Sequence, residues 1–225
     1  MDQFERSNLI IKDTSFHDKW VCVVGVGGVG AACVESLIRT GVHRLVLVDY
    51  DKVTVSNLNR QIQANHETVG MDKTTALKDK MLKINPKAEI VEIKQFVDED
   101  NFKLLLEYPL DYVIDAIDSI QAKANLIKFC VDQGLPIISS CGMGNRIDPT
   151  QIKISRLDKT FNDPLAKSLR IQCRSKQCDK IKVVFSKELP QKRPKPIASL
   201  SFVVNVAGHI LASEVIKDLG AYNET

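Results

Sequence analysis

Short blocks of apolar residues alternate along this chain with stretches whose apolar positions recur every three or four residues. The blocks at 21–24, 45–48, 89–93, 111–114 and 136–140 have the length and the valine and isoleucine content of buried strands. Helical patterns lie between them, running up to 40 and then over 74–84, 100–108 and 120–133. A short helical pattern over 4–11 precedes the first block, a further strand is expected at 151–155, and a helix begins beyond 160 with Pro164 in its first turn. Strands separated by helices at this spacing predict a doubly wound, mostly parallel α/β sheet with helices on both faces. The longest apolar segment, 197–216, has the length of a membrane span, but Asn205, His209 and Glu214 interrupt it, each costly in hydrocarbon. The expectation is a C-terminal helix over 200–219, packed on the sheet or against a second subunit, with His209 in the core or at that interface; membrane contact is the disfavoured alternative.

The first strand runs into Gly25-x-Gly27-Gly28-x-Gly30, the helix opens there, and the second strand ends on Asp49, nineteen residues after Gly30. Glycines let the backbone turn sharply and approach a phosphate, and the helix that opens presents free N–H groups and its positive dipole end to the anion. An acid at the tip of the second strand is where a Rossmann-type unit holds a ribose hydroxyl. Nucleotide binding is the first functional expectation, with the identity of the nucleotide open.

Beyond Asp49 the chain turns polar, with Asp51, Ser56, Asn57, Arg60 and Gln61 in a loop beside the nucleotide and a helical turn expected near Ser56. Lys73 stands at a helix start, where a cation opposes the dipole unless an anion lies there too. On its own a lysine there reads as a solvated surface charge; Arg60 nearby weakens that reading. Asp115 and Asp118 follow the strand 111–114, at the sheet edge where open α/β folds bind ligands; Asp118 is the functional candidate and Asp115 the more structural one. Cys141, in the glycine-bearing loop 139–150, is the cysteine placed like a nucleophile, and its structural reading is put ahead of the catalytic one.

Composition narrows the picture further. Of 225 residues 44% are hydrophobic and 26% charged, an ordinary globular balance. The opening MDQFERSNLIIKD has neither the basic start nor the apolar core of a signal peptide, so cytoplasmic residence and six reduced cysteines are expected. Cys22, Cys33 and Cys130 read as small buried hydrophobes. Cys173 and Cys178, with no second pair or nearby histidine, read as unpaired surface thiols rather than a zinc site. Residues 167–195 hold ten basic residues against two acids, a balance of +8 that leaves −5 for the rest of a chain with net charge +3. A basic, partly flexible, proline-bearing insertion over 167–199 fits contact with a polyanion such as RNA, and a solvated mobile loop has the same composition.

Taken together, the glycine turn, Asp49-x-Asp51, Ser56-Asn57-x-x-Arg60-Gln61, Val69-Gly70-x-x-Lys73 and Asp115-x-x-Asp118 resemble the adenylation site of the ubiquitin-activating-enzyme-like family, which includes the molybdopterin and thiamine sulfur-carrier adenylyltransferases. The resemblance covers nearly the whole chain as one ATP-binding adenylation domain, 1–225. It implies that Gly25, Gly27, Gly28, Gly30, Asp49, Asp51 and Gln61 belong to the ATP site and that Asn57, Arg60 and Lys73 hold the triphosphate. It links Asp118 to Mg²⁺ and the adenylation step. Arg6, following Phe4, would reach the partner subunit's site in a homodimer. Within the family, the loop over 138–150, Lys159-Thr160-x-x-Asp163-Pro164 and Val184-Phe185-Ser186-Lys187-Glu188 are similar to the tRNA threonylcarbamoyladenosine dehydratases. That implies ATP-dependent adenylation of a tRNA-borne carboxylate followed by cyclisation, with tRNA as partner and Arg174, Lys176, Lys180 and Lys182 as its contacts. DNA is not expected as a partner. Sulfur-relay proteins remain possible partners.

The residue chemistry separates the alternatives. A nicotinamide-dependent dehydrogenase holds only a diphosphate and gains little from cations at Arg60 and Lys73, whereas adenylation builds negative charge on departing pyrophosphate. A ubiquitin-like sulfur carrier is the competing acyl substrate, against which the basic segment weighs. A non-catalytic nucleotide-binding scaffold has no use for Arg60, Lys73 and Asp118 together.

Overall fold

The computed structural model describes residues 3–11, 13–173, 178–192 and 196–220. Five parallel strands were read from the sequence, and they form: β1 (Trp20–Val24), β2 (Arg44–Val48), β3 (Glu89–Ile93), β4 (Tyr112–Asp115) and β5 (Ile137–Ser140). β6 (Ile152–Arg156) and β7 (Lys182–Ser186) complete a seven-stranded sheet of order β3-β2-β1-β4-β5-β7-β6, antiparallel only between β6 and β7. The chain reverses direction across the sheet between β1 and β4, which makes that point a topological switch.

Alternation along each strand assigns its side chains to two cores. Val21, Val23, Leu45, Leu47, Ile114, Ile138 and Val184 point to one face, beneath α2 (Gly28–Thr40), α3 (Lys73–Ile84) and α6 (Ser201–Asp218). Cys22, Val24, Val46, Val48, Val113, Val183 and Phe185 point to the other, beneath α4 (Ile120–Gln133) and α5 (Pro164–Gln172). Burial on both faces is what a parallel sheet requires, and it explains why these strands read as unbroken apolar runs. α5 starts as expected, with Pro164 at its first position and the Asp163 side chain accepting from the Ala166 N–H.

Five expectations are corrected in whole or in part. The N-terminal helix is one turn, α1 (Glu5–Asn8), and 100–108 forms a 3-10 turn over Phe102–Glu107. The stretch 167–199 is not one insertion: β7 lies inside it, hydrogen-bonded between β5 and β6. Cys173 and Cys178 are buried in the second core instead of lying at the surface. His209 is exposed in the single chain, its Nδ1 2.6 Å from Ser36 Oγ.

α6 lies along α2 at a separation that only glycine permits. A methyl group at Gly208 would run into the Val29 carbonyl and come within 2.8 Å of the Cys33 nitrogen. Gly208→Ala is therefore expected to cost about 1–3 kcal/mol by forcing the helices apart, against any gain in helix propensity. Thermal unfolding checks this. Among the described residues no helix is long and apolar enough to cross a membrane.

Candidate functional site

A cleft of about 490 Å³ opens at the C-terminal ends of β1, β2, β4 and β5, over the switch point. One wall is the glycine turn. Gly25 has φ +89°, and a side chain there would sit 2.7 Å from the Ala116 carbonyl oxygen, so the turns after β1 and β4 touch across the switch. Gly27 and Gly28 line the cleft. Gly30 does not; a methyl group there would collide with the Gly25 carbonyl, so its task is to let α2 pack on the turn.

Asp49 sits on the cleft floor with both carboxylate oxygens oriented: Oδ2 accepts from the Val26 N–H and Oδ1 from the Asp51 N–H, each at 2.9 Å. Burial raises its pKa above 3.8, with Lys73 and the two N–H bonds only partly opposing this. The folded state thus holds this proton more tightly than the unfolded chain. Its contribution to stability is present at acid pH and is lost as pH rises from the ordinary aspartate value through the raised one. For ligand binding the consequence is opposite, since only the ionised form accepts at every oxygen. ATP affinity is expected to fall on acidification sooner than an ordinary aspartate allows, and Asp49→Asn should flatten that profile in calorimetric titrations from pH 7 downward.

Lys73 is not a solvated surface charge: it is 7% exposed, its Nζ 2.6 Å from Asp51 Oδ2. The anion that the helix start called for is Asp51, which aims the ammonium along the cleft wall. Asn57 Oδ1 accepts from the Thr54 N–H at 3.0 Å, which fixes the amide where its nitrogen is available to the cleft. Arg60 is half-buried and held by the Ser56 carbonyl at 2.8 Å and Asn59 Oδ1 at 2.9 Å. Sequence reasoning missed Asn205 of α6. With its amide turned so that both ends are satisfied, its nitrogen donates to the Gly28 carbonyl at 3.2 Å and the Arg60 carbonyl at 3.1 Å, fastening the cation loop to the glycine turn.

Asp115 is structural, as read. It is fully buried with Lys123, whose Nζ is 2.8 Å away, and Ser139 Oγ donates to the same oxygen at 2.7 Å. Its other oxygen accepts from the Ile117 N–H at 3.1 Å, holding the turn that carries Asp118 into the cleft. Asp118 makes no ion pair among the described residues. Asp51, burial, Asp118 and Asp49 together raise the pKa of the Tyr50 hydroxyl, which marks converging negative potential here. Asp51 is engaged by Lys73 and Asp49 by the backbone, so Asp118 is the carboxylate that fits a divalent cation. No group of three His, Cys, Asp or Glu side chains stands together as a preformed metal site among the described residues.

The opposite wall is the loop Ser140 to Gly144. Arg146, 2% exposed, braces it: Nη1 donates to the Gly142 carbonyl, Nη2 lies 3.2 Å from Asp163 Oδ2, and Nε donates to the Glu188 carbonyl at 3.2 Å. Burial, with Asp163, pushes the Cys141 thiol far up despite Lys123 and Arg146, so it is protonated at neutral pH and is no ready nucleophile.

Two sets of candidate residues, the one assigned to a partner subunit's site and the other to tRNA, lie away from the cleft. Arg6 is exposed on α1, which is anchored by Phe4 against His17 and His43, at the N-terminal edge of the sheet. Lys180 and Lys182 precede or open β7 at that same far edge, and Lys182 is engaged by Glu214 at 2.6 Å and Asp218 at 2.5 Å. Burial opposes the charged form of Lys182, but these bonds outweigh it and raise its pKa. Arg174 and Lys176 lie outside the described residues.

A doubly wound sheet with a glycine turn, an acid at the tip of β2 and two cations lining a switch-point cleft is the arrangement of a nucleotide-binding enzyme of the adenylating class. The sequence model of the ThiF family matches residues 14–225, and the chain belongs to that family. It is 38% identical over 241 residues to the tRNA threonylcarbamoyladenosine dehydratase of Bacillus subtilis (strain 168), covering 97% of this chain and 95% of that one. The E. coli tRNA N6-threonylcarbamoyladenosine dehydratase TcdA, in a crystal structure in complex with ATP, superposes with a TM-score of 0.91 at 35% identity, over 97% of this chain and 94% of that one. The molybdopterin-synthase adenylyltransferase of Salmonella typhimurium (strain LT2) is 34% identical over 129 residues, covering 57% of this chain and 51% of that protein.

Proposed function

We propose that the carboxylate of a tRNA-borne threonylcarbamoyl group enters the cleft between the Ser140 to Gly144 loop and the ATP held over the glycine turn. The chain is an ATP-dependent tRNA threonylcarbamoyladenosine dehydratase. The carboxylate oxygen attacks the α-phosphorus of ATP and pyrophosphate leaves. A nucleophile of the same threonylcarbamoyl group then attacks the activated acyl carbon and AMP departs with the carboxylate oxygen, so the product is lighter by one water. The observation that carries this reading is the pairing of buried Lys73 with Asp51 on the cleft wall, near Arg60 and across from a braced, solvent-poor loop.

Asn57, Arg60 and Lys73 hold the phosphates and take up the charge that develops on pyrophosphate. Asp49 orients the ribose. Asp118 is the residue that would hold Mg²⁺, which neutralises phosphate charge when bound. The second step needs only that the acyl adenylate be kept close to its internal nucleophile and away from water. The Ser140 to Gly144 loop supplies that wall, and the protonated Cys141 thiol has no covalent part in it.

Arg6 lies at the opposite end of the strands from its own cleft, which fits a role in the cleft of a second copy in a homodimer. Sedimentation showing a fully active monomer would end that part of the reading. Cytoplasmic residence and sulfur-relay partners belong to the same proposal. Nucleoside mass spectrometry of tRNA incubated with the protein, ATP and Mg²⁺ tests the reaction: conversion of threonylcarbamoyladenosine to a species lighter by water supports it, and unaltered nucleoside refutes it.

A further inference from the structure

Phe161 is 47% exposed and immediately precedes Asn162, which Arg146 ties to the loop that walls the cleft. Its ring is seated at 77° on the fully buried Phe185, with centroids 5.5 Å apart. The next residue, Asn162, has φ +56°, a left-handed conformation that costs energy in a residue other than glycine. That turn is held rigidly. Asn162 Nδ2 donates to the Lys187 carbonyl at 2.9 Å, and the Asn162 carbonyl accepts from Arg146, the same guanidinium that grips Gly142 in the cleft wall.

One cation lies over this ring and a second follows in the chain. Lys153, exposed on the edge strand β6, places Nζ 6.0 Å from the Phe161 centroid and 5.8 Å from that of Phe185. Lys187, also exposed, follows at the end of β7. The acids nearby are spent: Asp163 on Arg146, Asp158 on Arg156, and Glu188 on the N–H groups of Ile147 and Asp148. A half-open aromatic face with positive charge beside it, joined through Arg146 to the wall of a cleft, is the kind of surface that unpaired nucleotides use.

We infer that Phe161 is a stacking platform for an unpaired base of the substrate RNA next to the nucleotide that enters the cleft, with Lys153 and Lys187 on the adjoining phosphates. This rests on the tRNA reading above and moves the RNA contact from Lys180 and Lys182 at the far edge to the cleft edge. A nucleotide whose carboxylate must reach a recessed α-phosphate leaves its stack, and the neighbour it abandons needs a new stacking partner.

The test is binding of the full-length protein to a fluorescent anticodon stem-loop RNA, followed by anisotropy across a salt series, beside turnover on modified tRNA. Phe161→Ala should weaken RNA binding by roughly 5- to 100-fold with ATP affinity and sedimentation unchanged and the protein still folded at the assay temperature, and Phe161→Trp should restore it. Lys153→Ala and Lys187→Ala should each flatten the slope of log affinity against log salt by about 0.7. Equal RNA affinity of wild type and Phe161→Ala overturns the platform while leaving the dehydratase reading intact. A Phe161→Ala protein that instead loses its oligomeric state overturns it in favour of a contact between copies of the chain. Wild type that binds the RNA with a Phe161 dependence but turns over no modified tRNA sinks the dehydratase reading and keeps the platform.

Discussion

Replacing Lys73 with alanine is expected to slow pyrophosphate release by roughly 100- to 1000-fold, the usual consequence of removing one preorganised charge from a transition state that builds negative charge. Lys73 is buried and its ammonium already aimed by Asp51 before any nucleotide is present. No reorganisation is needed when the β-phosphate begins to leave. Arg60→Ala is expected to have an effect of the same order, since its guanidinium is held by Ser56 and Asn59 at the same wall. Neither change should unfold the protein. Asp51, half exposed, stays hydrated without its partner, and the loss of such a pair costs about 1 kcal/mol or less. Single-turnover pyrophosphate assays beside thermal melts separate the two effects. A Lys73→Ala protein with wild-type release would remove the charge-stabilisation argument.

The second large effect is expected at Lys123, which no part of the chemistry touches. Lys123 and Asp115 are both wholly buried, and Lys123→Met leaves Asp115 as an unpaired charge beneath the cleft, with only Ser139 and the Ile117 N–H to hold it. Breaking a buried pair from one side typically costs about 3–5 kcal/mol. For a chain of 225 residues this is a fall in melting temperature of roughly 10 °C. Removing both charges in Lys123→Met/Asp115→Asn should recover much of that loss, because an amide is far cheaper to bury than a lone carboxylate. Urea unfolding checks this as a shift in midpoint at constant slope. A single mutant as stable as wild type would mean that the pair is not the support of the turn carrying Asp118.

Much of this arrangement is visible in the sequence because its parts are local. The strand, glycine turn and helix from Val21 onward need only apolar runs and glycines at fixed spacing, and Asp49 follows from strand length. Lys73 was legible as a cation in the wrong place for its helix, although the acid that explains it, Asp51, is 22 residues away and only folding shows the pairing. β7 was obscured by charge. Lys182 and Lys187 bracket a four-residue run, 183–186, buried on both faces, and a balance counted over 167–195 hides a strand that short.

Lys123 and Arg146 show a different limit. Lys123 falls on the same helical stripe as Ile127 and Cys130, so a lysine at a core position was a readable sign of an acid inside, but nothing local says that the acid is Asp115. Arg146 gives no sign, because its partners at Gly142, Asp163 and Glu188 come from segments brought together by the β5, β6 and β7 pairing. The buried cysteines Cys173 and Cys178 were misread for the same reason: the core that covers them is completed by β7.

The account stands most directly on whether the carboxylate on the tRNA triggers ATP cleavage between the α- and β-phosphates. The decisive measurement mixes the protein with ATP and Mg²⁺ and follows pyrophosphate in the presence of tRNA that carries threonylcarbamoyladenosine, or of the same tRNA without that group. Release that requires the modified tRNA, in step with the appearance of dehydrated nucleoside, is the predicted result. ATP binding without pyrophosphate release, or release that is indifferent to the threonylcarbamoyl group, would contradict it.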